Sequence, residues 1–85
     1  MSYSARVSVM LKQGIADPQG QTIERALPAL GYRGVKNVRV GKVIELELQA
    51  ESPQEAQGLV SEMCERLLAN PVIESFEVTI EGEQE

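Results

Sequence analysis

Between Val35 and Gln49 the chain alternates in a way that leaves few folds open. Val38, Val40, Lys42, Ile44, Leu46 and Leu48 share one parity, while Asn37, Arg39, Gly41, Val43, Glu45, Glu47 and Gln49 share the other. A period of two sustained this long marks β-structure with one face turned to a core. A two-residue hairpin at Gly41-Lys42 would set Val38 opposite Glu45 and put a charge on the apolar face. A three-residue turn at Gly41-Lys42-Val43 preserves parity, setting Val38 opposite Leu46 and Arg39 opposite Glu45. A single strand bent at Gly41 preserves it as well. Such a strand would reach roughly 50 Å at about 3.3 Å per residue, and its surplus edge calls for a second chain to cover it. The middle of the chain is therefore one long strand or a hairpin, bent at Gly41, and the fold is expected to form dimers.

The flanking elements follow from periodicity and punctuation. A first strand is predicted from Ser4 to Lys12, where Ala5, Val7, Val9 and Leu11 alternate with Arg6, Ser8, Met10 and Lys12. Gly14 ends it. In Asp17-Pro18-Gln19-Gly20, either Asp17 caps a helix that begins at Pro18, or the four residues form a turn. The first helix places Ile23, Ala26, Leu27 and Leu30 on one face and stops near Gly31. Pro28 removes a backbone donor, so a kink or an early end is expected there. A second helix opens with a capping box, Ser52 and Glu55 around Pro53. It carries the stripe Ala56, Leu59, Val60, Met63, Cys64, Leu67 and Leu68. Asn70-Pro71 closes it, and a last strand runs from about Val72 to Ile80.

The order predicts an α+β fold of the type βα(β or ββ)αβ, an antiparallel-type sheet with two helices packed on one face. All 85 residues form one domain, since chains divide only at two or three times that length. Glu81-Gly82-Glu83-Gln84-Glu85 is expected to be a frayed acidic tail. With two Tyr, one Phe and no Trp, the core rests on aliphatic side chains and is small enough that oligomerisation is a natural remedy.

Chemistry finds little foothold. The chain has no histidine and one cysteine, which removes the usual neutral-pH base, any internal disulfide and a zinc site. Cys64 lies on the apolar stripe and reads as a core thiol. Glu45 and Glu47 could hold a hard cation, but alternating glutamates usually form a strand's solvated side. No phosphate-cradling glycine loop occurs; the nearest substitute is Arg39-Val40-Gly41-Lys42, two cations flanking a glycine. Those cations could meet a phosphate or an acidic partner loop, or match Glu45, Glu47 or Glu77 across strands. Nucleic-acid binding is disfavoured by the net charge of −5 and the scarcity of aromatics. With no bilayer-length apolar run and no signal-peptide core at the start, no membrane is expected and the default location is cytoplasmic.

Charge is divided along the chain. Residues 1–42 carry seven of the eight Lys and Arg against Asp17 and Glu24, whereas residues 43–85 carry Arg66 against eleven glutamates. This division fits complementary surfaces, one positive patch facing an anionic partner, or plain neutralisation within one sheet.

Three stretches in order carry a resemblance. They are Leu11-Lys12-Gln13-Gly14-Ile15-Ala16-Asp17-Pro18-Gln19-Gly20-Gln21-Thr22-Ile23, Val38-Arg39-Val40-Gly41-Lys42-Val43-Ile44-Glu45-Leu46, and Met63-Cys64-Glu65-Arg66-Leu67-Leu68-Ala69-Asn70-Pro71-Val72-Ile73-Glu74. In order, spacing and chain length these resemble the small-subunit family PurS of phosphoribosylformylglycinamidine synthase. Ala16, where members more often carry a bulkier apolar residue, and Pro28 depart from its pattern.

The resemblance implies a non-catalytic subunit without a cofactor or metal of its own, forming dimers and sometimes tetramers. It implies assembly with a synthetase, PurL, and a glutaminase, PurQ. The assembly converts formylglycinamide ribonucleotide, glutamine and ATP into formylglycinamidine ribonucleotide, glutamate, ADP and phosphate in purine synthesis. The small subunit would bridge the two and help ammonia pass between them. Asp17, Pro18, Gln19, Gly20, Arg39 and Lys42 are the expected partner contacts, against helix initiation as the alternative for the loop. A reading from another class is a small dimeric regulatory module of ferredoxin-like type, holding amino acids or nucleotides at its interface. A stand-alone enzyme is the third, and the composition argues against it.

Overall fold

The computed structural model describes residues 1–84. Its centre is strand β1 (Ser2–Leu11), flanked antiparallel by β2 (Lys42–Gln49) and β3 (Glu74–Gln84) in the order β2-β1-β3. The alternation of β1 explains its place: Tyr3, Ala5, Val7 and Val9 are buried, while Arg6 and Ser8 face solvent. Opposite Val7 stand Ile44 on β2 and Val78 on β3, so one apolar face runs across three strands. On the other face Arg6 reaches Glu45 and Glu81, each at 3.7 Å, pairing glutamates of both edge strands with one cation. Such exposed pairs are worth at most about 1 kcal/mol each.

Helix α2 (Pro53–Met63) covers the apolar face. Its start is the predicted cap: the Ser52 hydroxyl accepts from the Glu55 amide at 3.1 Å. The Glu55 carboxylate, in turn, accepts from the Glu51 amide at 3.2 Å. Ala56, Val60 and Cys64 are buried against β1, with Leu68, Phe76 and Ile80 packed around them. The helix ends in one wider π-type turn, Cys64–Leu68, in which the Ala69 amide reaches back five residues to the Cys64 carbonyl at 3.0 Å. That turn rotates Leu67 off the predicted stripe, leaving it 83% exposed while Leu68 is half-buried.

The strand expected to stop at Ile80 continues to Gln84, and Gly82, Glu83 and Gln84 pair with Ser4, Tyr3 and Ser2. A bulge between the Ala5–Ile80 and Ser4–Gly82 pairs makes Glu81 the extra residue and lets Gly82 take a φ of 141°. This corrects the expectation of a frayed tail over 81–84; Glu85 lies outside the described residues. Sequence reading missed it because glutamate and glycine carry low strand propensity, and backbone pairing to the chain start overrides it.

Helix α1 (Pro18–Ala26) gives way at Leu27 to a 3-10 turn, Leu27–Leu30, capped by Gly31 at φ 96°. Pro28 thus shortens the helix as predicted. Where the sequence places both helices over the sheet, α2 takes that position alone. Among the described elements α1 packs most against its own 3-10 turn, and Ile23, Ala26 and Leu30 of its apolar face are exposed.

The middle segment is neither one fifteen-residue strand nor a hairpin within the chain. β2 begins at Lys42, directly after Gly41, and its partner is β1. Residues 35–41 form no regular strand. Val38 and Val40 there are half-buried and bond through their amides to Glu24 and Asp17 of the α1 region, and the molecule is elongated at 51 × 27 × 14 Å.

Candidate functional site

Where β1 ends and β2 begins, the chain crosses itself. Asp17 caps α1 by accepting from the Gly20 amide at 3.0 Å, the helix-initiation geometry its sequence allows. Its second oxygen accepts from the Val40 amide at 2.8 Å, twenty-three residues away. Two turns along α1, the Glu24 carboxylate accepts from the Val38 amide at 3.0 Å. Two carboxylates on one helix thus take two alternate amides of the 35–41 segment and hold it along α1. The Gly20 and Val40 amides, with Arg39 adding positive potential, hold the Asp17 carboxyl below its ordinary value against the opposing effect of burial.

Two glycines make the crossing possible. A Cβ on Gly20 would strike the Val38 carbonyl and the Asp17 carboxylate. A Cβ on Gly41 would lie 2.5 Å from the Val9 carbonyl and would overlap Met10. The Arg39 guanidinium donates to the Leu11 carbonyl, and Lys12 donates to the Pro71 carbonyl at 2.7 Å, tying this corner to the turn before β3.

Leu11, Asp17, Pro18, Gln19, Val40, Gly41, Lys42 and Glu74 line a shallow groove of about 300 Å³ here. The structure therefore gathers Asp17, Pro18, Gln19 and Lys42 into one surface, with Gly20 buried beneath it and Arg39 bound to the groove's Leu11. Asp17 and Gly20 serve the crossing itself. Pro18, Gln19, Arg39 and Lys42 are exposed. The alternative of a cross-strand match is not what forms: Arg6, rather than Arg39 or Lys42, faces Glu45, and Lys42 stands opposite Val9. Glu24 and Glu74 escaped sequence reading, since a lone glutamate on a helix or at a strand start signals nothing until the chain brings amides to it.

This corner offers a cation, a side-chain amide and apolar surface, a combination suited to contact. Cys64 sits away from it, at 0% exposure in the core, with its thiol pushed up by burial and secondarily by Glu65. Among the described residues no group of three His, Cys, Asp or Glu side chains is arranged to hold a metal, and no helix is long and apolar enough to cross a membrane.

Residues 4–82 match the family described as PurS, phosphoribosylformylglycinamidine (FGAM) synthase. The chain belongs to the PurS family. The PurS subunit of phosphoribosylformylglycinamidine synthase from Methanocaldococcus jannaschii is 43% identical over 79 residues, which is 93% of this chain and 95% of that protein. The crystal structure of the PurS subunit from Thermotoga maritima superposes with a TM-score of 0.85 at 39% identity, covering 94% of this chain and 92% of that one. A chain of the Thermotoga maritima PurLQS structure matches equally well, with a TM-score of 0.85 at 39% identity over 94% of this chain and 98% of that one. Both the family span and the superpositions take in nearly the whole fold, so the three-stranded antiparallel sheet with two helices is the family's architecture.

Proposed function

We propose that this chain is the small, non-catalytic subunit of phosphoribosylformylglycinamidine synthase, bridging the glutaminase PurQ and the synthetase PurL in the cytoplasm. The observation that carries this reading is the whole-length likeness to a chain of a PurLQS assembly. The chemistry of the crossing corner supports it, because Lys42, Gln19 and Pro18 present contact groups on a scaffold set by Asp17 and Gly20. Ammonia released by the glutaminase would reach the synthetase only while the two stay docked, and a subunit that supplies surface alone serves that end.

In this reading Pro18, Gln19, Arg39 and Lys42 meet a partner, while Asp17 and Gly20 set their positions. Self-association accompanies it: exposed Leu59, Met63 and Leu67 line one shallow depression on α2 and its last turn, a contiguous apolar patch of the kind that another chain covers. Sedimentation of the chain with PurL and PurQ, in the presence of glutamine, ATP and magnesium, tests the bridging role. All three should travel in one boundary. Migration of the chain apart from a PurL–PurQ pair would overturn it.

A further inference from the structure

The side of α2 turned away from the sheet carries a row of its own. Leu59, Met63 and Leu67 stand four residues apart and line one shallow depression of about 320 Å³, with Glu62 and Arg66 in the same lining. Side chains four apart drift around a regular helix, because four residues exceed one turn of about 3.6. The wider turn at Cys64–Leu68 takes up that drift and leaves Leu67 in the depression with Leu59 and Met63. Beside the row, Arg66 and Glu62 pair at 3.5 Å along the helix, both exposed. Such a pair on one helix is weak and readily exchanged for another partner.

We propose that this face meets the same face of a second copy of the chain, the two α2 helices lying antiparallel about a two-fold axis near Met63. The pattern is its own complement. Reversal about that axis sets Leu59 of one copy on Leu67 of the other and Met63 on Met63, so the two rows take each other out of water. Glu62 and Arg66 stand one turn apart on one flank of the row, and a two-fold axis lying in the contact plane brings like flanks together. Because the helices run in opposite directions, Glu62 of one copy then stands beside Arg66 of the other, twice over by symmetry. An unrelated partner would have to supply that combination of apolar row and ordered charges; a second copy carries it already. The inference rests on the reading of this patch as a surface of self-association, and adds the face it meets and the direction in which the helices run.

Sedimentation equilibrium of the full chain, without PurL or PurQ, decides the matter. The native chain should associate. Glu62→Arg leaves two cations on the flank and Arg66→Glu leaves two carboxylates. Each variant should weaken an association step about tenfold, because like charges then face each other across the contact. An equimolar mixture of the two variants should recover that step through mixed pairs, since each supplies the charge the other lacks. Loss of the ion pair within one helix cannot give this recovery, because the pair is broken in both variants. Variants that associate as the native chain does would overturn the proposal, as would weakened variants whose mixture fails to recover. Variants that keep native association but no longer sediment with PurL and PurQ would assign the patch to those partners instead. A native chain that stays monomeric at every concentration would overturn the self-association reading itself, and the proposal with it.

Discussion

Gly41 lies against the carbonyl of Val9, so closely that an added Cβ would sit 2.5 Å from that oxygen and overlap the Met10 side chain. This approach is where the alternating middle segment stops being a strand. Beyond it β2 pairs with β1; before it the chain turns to α1. Gly41→Ala should therefore lower stability by about 1–3 kcal/mol, the range for forcing extra atoms into a packed site. Urea unfolding of the two proteins measures it, and an unchanged midpoint would show that the crossing is looser than its geometry.

Cys64 should behave as a core thiol. It is fully buried, and burial raises its pKa, with Glu65 adding to the shift. A thiol-specific disulfide reagent at neutral pH should leave it unmodified until the chain unfolds. Cys64→Ser should cost about 1–3 kcal/mol, because a hydroxyl placed there has to leave water. Rapid labelling of the native protein would contradict this placement.

The crossing at Asp17 should respond to acid. Hydrogen bonds from Gly20 and Val40 depress the folded-state pKa of its carboxyl, so the stabilisation is complete above the ordinary aspartate value of about 4 and is lost as pH falls through the depressed value. Protection of the Val40 amide should decline only in that acidic window. In Asp17→Asn it should be low at every pH. Loss of protection between pH 5 and pH 7 would assign the effect to some other group.

Lys42 and Arg39 separate contact from support. Lys42 is exposed at the groove, whereas Arg39 also holds the Leu11 carbonyl. Lys42→Glu should weaken assembly with PurL and PurQ about fivefold or more while shifting the melting temperature by less than about 2 °C. Arg39→Glu should weaken assembly and lower the melting temperature as well. A Lys42 variant that assembles normally would remove the groove from the interface.

The sequence carried most of the sheet and all of α2's start. Period-two alternation in β1 and the Ser52-Pro53-Glu55 signature are local signals, and local hydrogen bonding and burial act on them directly. What stayed hidden depends on distant partners. Glu81 to Gln84 read as a tail because only the backbone of Ser2 to Ser4 recruits them into β3. The 35–41 segment reads as strand because its parity records apolar burial, whereas its Val38 and Val40 amides are taken by Glu24 and Asp17 instead of by a neighbouring strand. Leu67 left the α2 stripe because a single π-type turn changes the period, which no residue type announces. Four of the six expected contacts line one groove; the Asp17 cap is legible in Asp17-Pro18, whereas its hold on the Val40 amide and the need for Gly20 beneath the Val38 carbonyl depend on a distant segment.

A coupling subunit without chemistry of its own shows itself in turnover. Glutamine-dependent synthesis of formylglycinamidine ribonucleotide by PurL and PurQ should be measured with and without this chain, beside ammonia-dependent synthesis by PurL alone. Glutamine-driven turnover should require the chain, and ammonia-driven turnover should be indifferent to it. Glutamine-driven turnover at full rate in its absence would contradict a coupling role.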